Sequence, residues 1–311
     1  MDSRQLRYFA AVHDARSVSR AADRLNIAAS ALSHHLANLE AELGVALFIR
    51  EPRGMRPTAA GERLYRHASG ILRAIDAARD DLAEATREVA GEVSLGMSYS
   101  AVKAVGVALL KTVDREYPKL RLTLSESLSG STLMHLMASE IDLAVVYNPP
   151  QDPRLRTRPV LEEEMVCLGR PEIIGEGDAP LSFAELLELP LILLRQGLSA
   201  RALIDDAALL KRLEARAQLQ LNSVQAIAGC MVEGLGCIVG TRLFMRELLA
   251  DGTINARPIV EPRLTRTLHL CELADRPATF AFETVRQLVT RLILQAVAEG
   301  RWEASVPART G

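Results

Sequence analysis

The sequence predicts a mixed α/β chain in three parts: a winged helix-turn-helix over residues 1–60, a long linker helix over 61–90, and a two-lobed α/β domain over 91–311. Three observations predict it. Two short amphipathic helical patterns meet at a tight junction within residues 17–43, followed by an apolar run and a loop bearing arginine, proline and glycine. A heptad of apolar residues then runs from Leu64 to Val89. From Gly91 onward, short apolar runs alternate with helical patterns, the mark of a doubly wound sheet.

The opening segment places Leu6, Phe9, Ala10 and His13 on one helical face. Ser17 is suited to cap a second helix, in which Ala21, Ala22 and Leu25 form a small, closely packing face. Asn26 favours the left-handed stop that ends such a helix, and Ser30 is expected to cap a third, over 30–43. There Leu32, Leu36, Leu39 and Leu43 anchor one side, while Ser30, Ala31, Ser33, His34 and His35 offer small or hydrogen-bonding groups on the other. That combination suits a helix that enters a DNA groove. Val45, Leu47, Phe48 and Ile49 read as a short strand, and Arg50, Arg53 and Arg56 recur on a turn-rich loop placed to contact phosphates. Ser19 and Arg20 of the second helix and Asn38 of the third complete the candidate DNA-binding set.

Thr58 is expected to cap the linker helix, whose seam of Leu64, Ala68, Ile71, Ile75, Ala78, Leu82, Ala85 and Val89 implies pairing with the same helix of a second subunit. Strands are expected at 92–97, 120–127, 142–147, 166–169, 191–195, 218–222, 237–240, 254–260 and 267–273, with helices between them and a last helix over 278–298. The prolines at 149, 150 and 153 and those at 258 and 262 mark two crossings between lobes. Lobe I takes about 91–162 and 270–311, and lobe II about 163–269.

A net charge of −2 gives no whole-chain signal of a nucleic-acid partner, so the local patch carries that reading. With 49% hydrophobic residues the 311-residue chain can bury sizeable cores. The N-terminus MDSRQLRYF lacks the pattern of a signal peptide, and no stretch reaches the roughly 18 apolar residues of a membrane span. A cytoplasmic protein without membrane contact is therefore expected. Cys167, Cys230, Cys237 and Cys271 show neither CxxC nor zinc-finger spacing, so no metal site is expected and buried thiols are. GxSxG, GxxxxGK[ST], strand-linked GxGxxG and HExxH are all absent, which argues against an enzyme.

Residues 5–9 (QLRYF), 17–50 (SVSRAADRLNIAASALSHHLANLEAELGVALFIR) and 58–65 (TAAGERLY) resemble LysR-type transcriptional regulators. Residues 199–213 (SARALIDDAALLKRL) are similar to the nitrogen assimilation control proteins of that family. The resemblance implies a DNA-binding transcriptional regulator, homodimeric or homotetrameric, contacting RNA polymerase, with a periplasmic-binding-protein-like effector domain. It needs no cofactor beyond a small-molecule co-inducer bound between the lobes. The matching effector positions are Ser98, Ser100, Ser129, Ser131, Thr132, Gln196 and Ser199, whose hydroxyls and helix-start N–H groups suit an anion or carboxylate. Lys103 and Arg195 can add charge there. Where the family commonly carries glutamines in the recognition helix, this chain has Ala29-Ser30 and His34-His35, so sequence preference does not carry over. The alternative is a solute-binding protein fused to a helical head that does not bind DNA.

Overall fold

The structure is a computed structural model that describes residues 1–51, 54–82, 89–194, 204, 206–275 and 278–307, with side chains at all of these except 73, 76–82 and 194. The chain divides into two compact units, the first built on Met1–Glu88 and the second beginning at Val89.

In the first unit, α1 (Ser3–Ala15) opens with a reciprocal cap: the Gln5 N–H donates to Asp2 Oδ1 at 2.8 Å and the Asp2 N–H to Gln5 Oε1 at 2.7 Å. α2 (Val18–Leu25) starts at Ser17, whose Oγ accepts from the Arg20 N–H, and stops at Asn26 in the left-handed conformation (φ 53°), both as the residue types require. α3 (Ala29–Leu43) begins one residue earlier than expected. Its cap is Ala28, which has no side-chain bond, and Ser30 lies inside the first turn rather than capping it. The apolar faces of these helices, led by Leu6, Phe9, Val12, Leu32, Leu36 and Leu39, form one core.

The strand after α3 starts at Phe48, not Val45, because Val45 and Ala46 remain exposed while the Val45 N–H closes the helix end on Glu40 O. β1 (Phe48–Glu51) and β2 (Gly54–Pro57) pair antiparallel as a wing. Gly54, at φ 137°, cannot be replaced without strain, since a Cβ there would sit 2.3 Å from Arg16 O. α4 (Ala59–Leu82) follows, with Thr58 Oγ1 accepting from the Gly61 N–H at 3.0 Å, so the expected cap is present. The heptad seam is divided. Ala68 is buried in the core of the first unit and Leu64 and Leu72 pack on it, so the first turns of α4 serve their own chain, whereas Ile71 is exposed. Ala78, Leu82 and Ala85 lie outside the described side chains. Val89 is not part of this helix: it packs in the core of the second unit.

The second unit holds two sheets. The first has the order β4-β3-β5-β13-β6, built from β3 (Ala90–Met97), β4 (Lys119–Glu126), β5 (Leu143–Tyr147), β6 (Leu155–Glu164) and β13 (Thr265–Leu273). β4, β3 and β5 run parallel, as a doubly wound sheet requires, while β13 is antiparallel to both β5 and β6, so the sheet as a whole is mixed. The chain crosses to the other lobe after β6 and returns as β13, and a strand entering from that side runs the opposite way. β6 itself was not expected, because Arg156, Arg158, Glu162 and Glu164 hide its strand pattern at this sheet edge. Helices α5 (Val107–Glu116), α6 (Ser129–Met137) and α10 (Phe280–Ala298) accompany this sheet.

The second sheet has the order β11-β7-β12-β8, from β7 (Val166–Gly169), β8 (Leu181–Ser182), β11 (Ile238–Gly240) and β12 (Asn255–Val260). A parallel pair, β9 (Ile192–Leu194) and β10 (Leu219–Leu221), accompanies it with α7 (Ala207–Arg216), α8 (Val224–Val232) and α9 (Arg246–Ala250). Cys167 and Cys237 meet inside this lobe, both fully buried and reduced. The neighbouring Cys237 thiol and burial push the Cys167 thiol well above its ordinary range, and burial pushes Cys271 up to about 12. Neither has the thiolate character that oxidation needs. Among the described residues no helix is long and apolar enough to cross a membrane.

Candidate nucleic-acid interface and interlobe cleft

Leu32, Leu36 and Leu39 hold α3 to the core, and this fixes which side of the helix faces outward. Ser30, His34 and Asn38, four residues apart, form an exposed stripe flanked by Ala31 and Ala37. Ser19 and Arg20 on α2 and Arg50 on the wing are also exposed. Ser33 is half-buried. His35 is diverted: its ring lies 4.9 Å from that of Tyr8 on α1, so it packs between helices instead of joining the stripe. Arg56 is exposed, with Nε 2.5 Å from Glu51 Oε1, an ion pair within the wing that a phosphate would have to replace. Arg53 lies outside the described residues.

Glu40, which no sequence motif marks, ties α3 to the wing. Its Oε1 accepts the N–H groups of Leu47 at 2.6 Å and Phe48 at 3.1 Å, the residue before the wing strand and the first residue of it. A single acidic residue near a helix end gives no such signal on its own. Replacing it by alanine will remove the acceptor of these two backbone donors at a cost of about 1–2 kcal/mol. Glu40→Gln, which keeps the acceptor oxygen, should retain most of the stability. Thermal unfolding of the two variants beside the parent checks this.

His13 joins α1 to α4. Its ring stacks on Tyr65 at 3.7 Å and Nε2 lies 3.1 Å from Glu62 Oε2. The sequence placed His13 on the inner face, and burial agrees.

In the second unit a cleft of about 700 Å³ opens between the lobes, with Tyr99, Lys103 and Ser127 on one wall and Gln225, Phe244 and Glu247 on the other. Lys103 stands on a π-helical turn, Val102–Gly106, that interrupts the helix after β3. Its ammonium reaches across to donate to Phe244 O at 3.2 Å and to the Glu247 carboxylate, and it holds that carboxyl below its ordinary range. The Tyr99 ring meets Phe244 edge-on at 5.5 Å. This set forms a latch between the lobes.

Deeper at the same boundary, Arg266 is buried against Glu163 (Nε to Oε2, 2.9 Å) and donates through Nη2 to Ser100 Oγ at 3.2 Å and Thr241 Oγ1 at 3.3 Å. Its guanidinium stacks 3.6 Å from the centre of the Tyr147 ring, and Trp302 Nε1 donates to the other Glu163 oxygen at 2.7 Å. Burial raises the Tyr147 phenol well above its ordinary range, and its hydroxyl has no partner among the described residues. Arg266 escaped the sequence reading, although a signal exists: in β13 it shares the inward alternation with Leu268 and Leu270.

The expected effector hydroxyls are distributed differently. None of Ser98, Ser100, Ser129, Ser131 and Thr132 lines the cleft, which is bounded instead by their neighbours Tyr99, Ser127 and Leu128. Ser100 belongs to the Arg266 network, Ser129 Oγ accepts the Tyr147 N–H at 3.2 Å, and Thr132 shares a 2.6 Å hydrogen bond with Ser127. Ser131 is half-buried. Ser98 is buried with its hydroxyl unpaired among the described residues. Serine and threonine at helix starts serve their own backbone as readily as a ligand, and here the described hydrogen bonds of Ser100, Ser129 and Thr132 go to the protein itself. Gln196, Ser199 and Arg195 lie outside the described residues.

Residues 3–62 match the family model for bacterial regulatory helix-turn-helix proteins of the lysR family, and residues 86–293 match the LysR substrate binding domain. The chain belongs to the LysR family. As a member it is a transcriptional regulator and not an enzyme, and the match at residues 3–62 sets aside a solute-binding protein with an unrelated head. Similar LysR relatives include the nitrogen assimilation regulatory protein nac of Klebsiella aerogenes, 30% identical over 97% of this chain and 98% of that protein. The protein of the same name from Escherichia coli K12 is 29% identical over 97% of this chain and 99% of its own length. Among solved structures, a full-length OxyR variant from Pseudomonas aeruginosa aligns with TM-score 0.72 at 23% identity, covering 94% of each chain. Full-length CbnR in complex with its target DNA aligns with TM-score 0.61 at 20% identity, covering 94% of this chain and all of that one. These two likenesses concern the fold.

Proposed function

We propose that this LysR regulator acts in the cytoplasm as a dimer or tetramer, reads double-stranded DNA through the Ser30, His34 and Asn38 stripe, and responds to a small carboxylate held in the interlobe cleft. The stripe carries the reading: a helix locked by three buried leucines presents two hydrogen-bonding side chains and a hydroxyl outward, flanked by small alanines that allow close approach. Arg20 and Arg50 supply phosphate contacts beside it. Pairing through the exposed Ile71 position of α4 would give two heads for a dyad-symmetric site, and RNA polymerase is the partner through which such a bound dimer would act.

In the cleft, the ligand's carboxylate replaces Glu247 on Lys103, while Tyr99 and Phe244 take its apolar part. Binding then exchanges a contact between lobes for a contact to ligand, and the two lobe arrangements bind the ligand unequally, as any coupling requires. Lys103→Ala is expected to shift operator affinity by roughly tenfold, a typical coupling free energy, and to abolish the response to carboxylate metabolites. Fluorescence anisotropy on an operator fragment, with and without a metabolite panel, tests this. An operator affinity identical in parent and variant under every metabolite would contradict the cleft's role and leave the DNA-reading stripe untouched.

A further inference from the structure

A second cavity, of about 680 Å³, lies within lobe I where β6, β13 and α10 meet, and it shares no lining residue with the interlobe cleft. Its volume is in the range of small-molecule sites. Pro159, Val160, Leu270 and Leu294 give it apolar walls, and the charged side chains lining it are Arg158, Arg286 and Arg291. No carboxylate lines it among the described residues. Arg286 is already engaged, held by Glu283 and 3.7 Å from the buried Glu272. Arg158 approaches Glu272 only at 3.9 Å, with more than half its side chain exposed. Arg291 is exposed and has no acidic partner among the described residues. Arg291 without an acidic partner among the described residues, and Arg158 paired only loosely and largely exposed, leave net positive charge beside an apolar wall.

We propose that this cavity is a second ligand site, taking an amphipathic carboxylate whose alkyl or aryl body lies on Pro159, Val160, Leu270 and Leu294 and whose carboxylate is held by Arg291 and Arg158. Guanidinium suits this role because its planar fork matches a carboxylate in two parallel hydrogen bonds. Apolar walls favour such a ligand over a highly hydrated inorganic anion. The site stands independently of any ligand in the interlobe cleft, because the two share no residue.

Calorimetric titration of the full-length protein with octanoate, kept below its micellar range, tests the proposal. Saturable binding is expected, weakened about tenfold or more by Arg291→Glu or Arg158→Glu. Octylammonium should not bind, and Lys103→Ala should leave octanoate affinity unchanged. The two arginines are solvent-exposed, and unfolding curves matching the parent will confirm that the variants fold. Four results overturn the proposal: no saturable binding; equal binding of octylammonium, which would make the pocket merely apolar; loss of binding in Lys103→Ala but not in the arginine variants, which would place octanoate in the interlobe cleft; or arginine variants that change the oligomer's mass in light scattering without changing octanoate affinity, which would make this face an interface between copies.

Discussion

Arg266→Met is expected to destabilise the second unit by about 3–5 kcal/mol, the usual cost of removing one partner of a buried ion pair. The substitution fits the volume and keeps the apolar stem, so packing is not the source of the loss. It takes the guanidinium away from the buried Glu163 carboxylate, which keeps the Trp302 Nε1 hydrogen bond, and removes the hydrogen bonds to Ser100 and Thr241. Of these, Thr241 lies in the second lobe, so the variant should also loosen the lobes against each other. Adding Glu163→Gln to Arg266→Met should recover much of the loss, because no uncompensated charge then remains buried. Urea unfolding followed by fluorescence of Trp302, the single tryptophan, reads both effects directly. Midpoints equal to the parent's for the single variant would show that the pair carries no such role.

The second large effect is expected at Gly61. A Cβ added there would sit 2.2 Å from Leu47 O, a backbone atom that cannot rotate away. That same carbonyl accepts the Thr58 N–H at 2.9 Å, and Thr58 Oγ1 donates to Ala46 O at 2.7 Å, so the start of α4 and the start of the wing form one joint. Gly61→Ala must prise this joint open at a cost of about 3 kcal/mol, at the upper end for overpacking. The better helix propensity of alanine returns only about 1 kcal/mol. Gly70 on the same helix is the internal control. Nothing lies within 4 Å of its added Cβ, so Gly70→Ala should gain up to about 1 kcal/mol. Circular dichroism melts of the two variants should therefore move in opposite directions, and a shared direction would contradict the steric argument.

Local signals made much of the DNA-binding head legible. Ser17, Asn26 and Thr58 sit where their own side chains or backbone preferences put them, and the apolar spacing of α3 fixed its exposed stripe. What escaped was non-local. His35 was drawn to Tyr8 by a contact between helices, and Glu40 found its partners across a turn. Ala68 was taken by its own core although its spacing also suited a partner helix. In the α/β domain the buried strands β3, β5 and β7 were plain as apolar runs. The edge strand β6 was hidden by charges that are tolerated only because one of its faces and one of its edges are open. The Arg266, Glu163 and Trp302 cluster joins residues from three distant stretches, and no spacing rule reaches that far.

In the proposed function Ser30, His34 and Asn38 read base edges while the surrounding arginines hold phosphates. The most direct measurement compares affinity for an operator recovered by genome-wide mapping with affinity for an unrelated duplex, in the parent and in a variant carrying Ser30→Ala, His34→Ala and Asn38→Ala. The variant is expected to keep its affinity for unrelated DNA and to lose discrimination by roughly a hundredfold or more, since each lost base contact is worth about 1–3 kcal/mol. An unchanged ratio between operator and unrelated duplex would contradict it.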